Sequence, residues 1–146
     1  MSSEALERAF SEVPNGSGEL GGTRQYLPNI AKKANEDIVG ILAAVLPTPS
    51  YDRAALVITS SRIMEVTQDG TIQVWPYTDM SSLTVTGGDK KLFGRNFMWL
   101  QGKLSADSRT LNWLLPNAYY EHNTRVGKLA EDACRRAQTE KPPSNR

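Results

Sequence analysis

From Ala54 to Val85, short runs of β-branched, aliphatic and aromatic residues alternate with turn signals, as in an antiparallel meander. Leu56-Val57-Ile58 is apolar on both faces, which suits a central strand. Thr59-Ser60-Ser61-Arg62 makes a tight connection to a return strand, Ile63–Thr67. Gln68-Asp69-Gly70 is the clearest hairpin signal in the chain, because glycine supplies the positive φ that such turns require. Ile72–Trp75 is the next strand, stopped by Pro76. After a turn at Tyr77–Asp79, the stretch Met80–Thr86 puts Leu83 and Val85 on one face and Ser82 and Thr84 on the other.

Gly87–Lys91 reads as the following loop, and Leu92-Phe93-Gly94 comes after it with Gly94 at a bend. Arg95–Gln101 alternates again, with Phe97 and Trp99 on one side and Met98 and Leu100 on the other. Gly102–Ser108 is a polar loop. Arg109–Leu115 is the last strand, presenting Leu111, Trp113 and Leu115 together, and Pro116 ends it. Asn117 suits the N-cap of a final helix. Val126, Leu129, Ala130, Ala133 and Ala137 form its apolar stripe, opposite Arg125, Lys128, Glu131, Asp132, Arg135 and Arg136. A helix this short is marginal alone in water, so it must lie on the sheet.

Upstream, length does not separate helix from strand over Asp37–Leu46, but Ile38, Val39, Ile41 and Val45 favour a strand, and the sheet needs a first partner. Leu27-Pro28-Asn29 opens a helical patch through Ile30, Ala31 and Ala34, with Pro28 in the first turn. Ser3–Val13 spaces Leu6, Ala9, Phe10 and Val13 as a helix does, while Pro14–Gly22 has the composition of a flexible linker. Residues 1–22 are therefore expected to form an appendage, either a frayed tail or a docking segment. Residues 23–138 form the domain, and 139–146 a disordered tail. Seven strands followed by a helix indicate an α+β fold.

Composition narrows the job. The chain has 146 residues, 17 basic and 16 acidic, so it lacks the basic excess of a dedicated nucleic-acid binder. Cys134 is the only cysteine, which fits a reducing compartment, and the polar start of the chain lacks a secretory h-region. Its longest apolar run, Ile38–Leu46, is too short to span a bilayer. These features predict a cytoplasmic protein with no transmembrane segment.

Leu56-Val-Ile-Thr-Ser-Ser-Arg-Ile-Met-Glu-Val66 and Trp75-Pro-Tyr-Thr-Asp-Met-Ser-Ser-Leu83 together resemble bacterial pleckstrin-homology-like (PH-like) domains. Those show an apolar strand, a Thr-x-x-Arg turn, a second apolar strand, and Pro-Tyr-x-x-Ile-x-x-Val. Arg62 matches the turn arginine, and Met80 and Leu83 stand at the Ile and Val positions, as volume-tolerant replacements. The resemblance covers roughly Leu27 to Ala137. It implies a partly open antiparallel β-barrel of two nearly orthogonal sheets, plugged at one end by the helix. It also implies binding rather than catalysis, often of self or protein partners. Pro47–Arg53 lacks the clustered Lys-x-n-Arg of a phosphoinositide loop.

Catalytic and metal chemistry find little support. His122 and Cys134 are single and lie more than three helical turns apart, too far to share an ion. No Gly-x-Ser-x-Gly elbow or Walker spacing occurs. His122 is expected on the helix surface and Cys134 as a small packed group. Trp99 and Trp113 are expected in the core. The chain is thus read as a non-enzymatic, cofactor-free binding or scaffolding module acting through protein–protein contact, self-association included. The alternative is an adaptor for anionic lipid. The candidate contact residues are Lys90, Lys91 and Arg95 as a basic loop, with Trp75 and Tyr77 flanking Pro76 as aromatic anchors.

Overall fold

The computed structural model describes residues 1–140, the Asp89 side chain excepted; the tail expected at 141–146 lies outside them. Three short helices come first: α1 (Ser3–Ser11), α2 (Gly16–Glu19) and α3 (Leu27–Lys33). The strands are β1 (Ile38–Val45), β2 (Arg53–Thr59), β3 (Arg62–Thr67), β4 (Ile72–Pro76), β5 (Met80–Leu92), β6 (Arg95–Leu104) and β7 (Thr110–Pro116). The helix α4 (Tyr120–Glu140) closes the described chain and takes in Thr139 and Glu140, which the sequence assigned to the tail. The fold is α+β, with all strands antiparallel in the order β4-β3-β2-β1-β7-β6-β5.

The sheet has two halves. The ladder between β1 and β7 consists of one register pair, Val45 with Leu114. Side chains on both faces hold the halves together across this seam. On the inner face, Leu42, Leu56, Ile58 and Ile63 from the first half meet Met98, Leu100, Trp113 and Leu115 from the second. Val126, Ala130, Ala133 and Cys134 of α4 lie over them. The helix approaches closely because it crosses glycines. A Cβ on Gly40 of β1 would sit 2.9 Å from Val126, and one on Gly127 would sit 2.8 Å from Val85. That close approach rotates α4 toward its small residues. Leu129, expected in the buried stripe, is exposed, while Glu131, expected on the polar face, is buried.

The outer face of β1–β4 carries a second core, and here the structure departs from the expected appendage. Leu6, Phe10, Val13 and Leu20 are buried against Ile30, Ile41, Ala43, Ala55, Val57, Met64 and Val66. The two-faced apolar run at Leu56–Ile58 has this cause: its strand is covered by α4 on one side and by the N-terminal helices on the other. Of the glycines in Pro14–Gly22, Gly16 and Gly18 lie in α2, and Gly21, with φ +59, and Gly22 form the turn that follows it. Ser2 caps α1 by accepting from the Ala5 N–H at 3.1 Å.

The β3–β4 hairpin forms as its signal requires. Gly70 has φ +89, and Thr67 N–H donates to the Thr71 carbonyl. The Gly87–Lys91 loop does not form. Strand β5 continues to Leu92, with an irregularity between Thr86 and Lys90 that absorbs the two glycines. A Cβ on Gly88 would lie 2.2 Å from the Phe97 carbonyl oxygen, so only glycine fits the crossing.

Glu36 ties the segment before β1 to the β2–β3 turn. Its carboxylate accepts from the Ser61 and Thr59 hydroxyls at 2.6 and 2.9 Å and pairs with Arg62 Nε at 2.6 Å. Burial pushes the carboxyl up, but these hydroxyls, a backbone N–H and the Arg62 charge outweigh it and hold it at about 2. A depressed folded value stabilises above the unfolded value of 4.5 and loses that contribution as pH falls toward 2. Glu36→Gln is expected to cost about 1–2 kcal/mol at neutral pH. It should also flatten the fall in melting temperature between pH 5 and pH 2, measured by calorimetry across pH.

Candidate partner-binding surfaces

An antiparallel sheet with free ends offers two edges, and this chain treats them differently. Side chains of α4 reach the β5 edge at two main-chain groups, the Val85 N–H and the Met80 carbonyl. Glu131 Oε2 accepts the Val85 N–H at 2.7 Å, and Gln138 Nε2 donates to the Met80 carbonyl and, at 2.7 Å, to the Tyr77 carbonyl. Among the described residues, the β4 edge pairs with β3 alone. Its hydrogen-bonding phase follows from the turn. The Thr67–Thr71 pair is bonded, so alternation makes Glu65–Gln73 and Ile63–Trp75 the next bonded pairs. The N–H and C=O groups of Ile72 and Val74 therefore point outward. Pro76 falls at an outward position as well, where its missing N–H takes nothing from the β3 ladder.

A second surface is the end of the β5–β6 hairpin. The pairing of β6 with β7 reaches Phe97 opposite Pro116, whereas that of β5 with β6 continues through Lys91–Asn96 to Leu92–Arg95. The final residues therefore form a two-stranded ribbon overhanging β7. Lys90 and Lys91 are exposed on it. Phe93 at its tip is 81% exposed and meets the Tyr51 ring edge-on at 5.5 Å.

The base of this ribbon is fixed by Glu19, which is 6% exposed. Arg95 donates to both of its oxygens, at 2.7 and 3.2 Å, and Arg53 Nη1 lies 3.4 Å from Oε1. Burial raises the Glu19 carboxyl, but hydrogen bonds from Arg95 and Tyr119 and the charges of Arg95 and Arg53 hold it below its usual value. One carboxylate on the N-terminal segment thus joins β2, in the first half of the sheet, to β6 in the second.

These positions revise several of the expected contact residues. Lys90 and Lys91 are both exposed, on a strand rather than a loop, where successive side chains point to opposite faces of the ribbon. Arg95 does not join them as a free cation, because Glu19 holds it. Tyr77 is fully buried and donates to the Thr59 carbonyl at 2.8 Å, so it is a core residue. Trp75 is half-buried against the inner core, with Arg109 over its ring at 5.9 Å. Trp75 turns inward because it alternates with Val74, which packs on the outer core, and Tyr77 is carried inward by the 3-10 turn at Tyr77–Asp79 that follows Pro76. Trp113 is in the core as expected, with Nε1 donating to Glu65 at 2.7 Å, whereas Trp99 is half-buried on the face opposite Met98 and Leu100.

His122 is not a helix-surface residue. Its Nε2 lies 2.8 Å from the Ile41 carbonyl of β1, and Nδ1 lies 3.4 Å from Arg125. The neutral ring donates to Ile41 and accepts from Arg125, so both nitrogens are engaged. Burial and the Arg125 charge push its pKa down. The Cys134 thiol is buried, and burial pushes its pKa up, which keeps it protonated and unreactive. Phe93, Tyr51 and Glu19 are the surface-building residues that sequence reasoning passed over. Only Phe93-Gly94 carried a local signal, as a turn dipeptide between two alternating stretches.

A scan against protein-family models matched no family, and a search of curated proteins found no relative.

Proposed function

We propose that this chain is a non-catalytic, PH-like binding module that contacts protein partners, a second copy of itself included, by accepting an added strand at β4. The strand order β4-β3-β2-β1-β7-β6-β5, the narrow seam between two half-sheets and the covering C-terminal helix support the PH-like reading. The observation that carries the function is the asymmetry of the edges. Glu131 and Gln138 take the Val85 N–H and the Met80 carbonyl of β5, whereas among the described residues the outward groups of Ile72 and Val74 face no neighbouring strand and offer main-chain pairing. Main-chain hydrogen bonds supply affinity in such pairing, and alternate side chains supply specificity.

Val74→Pro tests this. It deletes an outward donor without touching the β3 ladder, so the fold should survive. Light scattering over a concentration series and a pull-down from cells containing the protein give the readouts. The wild type is expected to self-associate or to retain a partner, and Val74→Pro to lose that contact with an unchanged circular dichroism spectrum. A strictly monomeric wild type that retains nothing overturns the reading. So does a Val74→Pro chain that associates as the wild type does.

A further inference from the structure

We propose that the tip of the β5–β6 ribbon docks on anionic lipid bilayers, with Phe93 entering the interfacial layer and Lys90 and Lys91 meeting the headgroups. This goes beyond strand addition at β4 and does not depend on it. The backbone provides the first reason. Phe93 and Gly94 have φ values of 53° and 75°, so both central residues of this two-residue turn are left-handed. The turn matches the twist of its strands and favours Asn-Gly. Glycine adopts this backbone freely; a bulky aromatic is an outlier there. The chain nonetheless places a phenyl ring at the strained position and leaves it the most exposed large hydrophobic side chain among the described residues. Its aromatic contact within the fold is the edge of Tyr51. Strain retained at a solvent-facing position points to a use outside the fold.

The surrounding chemistry selects the partner. Two exposed lysines stand directly behind the aromatic tip, and their long apolar stems can lie along a membrane surface with the amines at headgroup level. Asp52, beside Tyr51, is the exposed acid of the adjoining loop. The tip is narrow and convex. A stable protein interface buries on the order of 1,000 Å² or more, far beyond what one turn presents. A bilayer deforms around a protruding ring and needs no matching pocket, and anionic headgroups attract the lysines. The ribbon is also ready to insert, since its ladder and the Glu19–Arg95 pair already fix its base.

Flotation of the full chain with phosphatidylcholine vesicles, with and without phosphatidylserine and at low and high salt, tests the proposal. The wild type is expected to float with phosphatidylserine vesicles and to be released by salt. Phe93→Asn installs the favoured Asn-Gly turn, so its melting temperature should hold or rise while vesicle binding falls about tenfold or more. Lys90→Gln with Lys91→Gln should lower binding roughly tenfold or more and remove much of the salt dependence. Val74→Pro should float as the wild type does, which separates this site from the β4 edge. A wild type that stays in the buffer, salt-insensitive binding to both vesicle types, or Phe93→Asn binding at the wild-type level overturns the proposal. If vesicles are ignored while Phe93→Asn abolishes retention of a protein, the tip is a protein contact and the membrane proposal fails.

Discussion

Phe10→Ala is expected to destabilise the protein by about 3–5 kcal/mol, the cost of truncating a buried aromatic and leaving its cavity. Phe10 is 2% exposed and lies in the outer core with Leu6, Leu20 and Ile41. In a chain of this length the loss corresponds to a fall in melting temperature of roughly 10 °C or more. The distinction it draws is qualitative. A frayed N-terminal tail would leave the melting temperature unmoved, whereas a segment completing the outer core makes its loss a global event. Thermal melting followed by far-ultraviolet circular dichroism is sufficient. Glu7→Ala, exposed on the same helix, serves as the control and should change stability little.

Gly40→Ala is the second large effect, and its cause is crowding. The new methyl would meet Val126 Cγ1 at 2.9 Å and Cγ2 at 3.0 Å, and a valine held in a helix has little freedom to move aside. The expected cost is about 1–3 kcal/mol. Val126→Ala alone should also destabilise, because Val126 is buried in the inner core. Combined, the two should cost less than their sum by about 1 kcal/mol or more, since each relieves what the other creates. Strict additivity in urea unfolding would mean that the helix does not seat on β1 at this point.

Much of the sheet was legible because its signals are local. The positive φ at Gly70, the alternation at Leu83 and Val85, and the stop at Pro116 each follow from one residue's chemistry. What escaped the sequence depends on distant partners. Gly87 and Gly88 look like a loop, and only the approach of β6 shows why a strand needs a residue without a side chain there. Pro14–Gly22 looks like a linker because glycine and serine are abundant, yet Leu20 and Glu19 anchor it through contacts with other elements. The phase of α4 was misjudged at Leu129 and Glu131 because hydrophobicity suggests which side chains should turn inward. How close the helix comes is set by Gly40 and Gly127. Among the candidate contact residues, Lys90 and Lys91 were placed on the surface correctly. Arg95 is held by Glu19 rather than free, and Tyr77 is buried, since a cation's partner and an aromatic's burial are settled by chain segments far away in sequence.

The meeting of β1 and β7 at Val45 and Leu114 separates two kinds of contact, backbone ladders within each half-sheet and side-chain packing between them. Each half-sheet keeps its own ladders, while the shared inner core, the Glu19 carboxylate and the close seating of α4 at Gly40 and Gly127 hold the halves together. Changes at Glu19, Gly40 or Gly127 can re-aim one hairpin relative to the other without rewriting any strand.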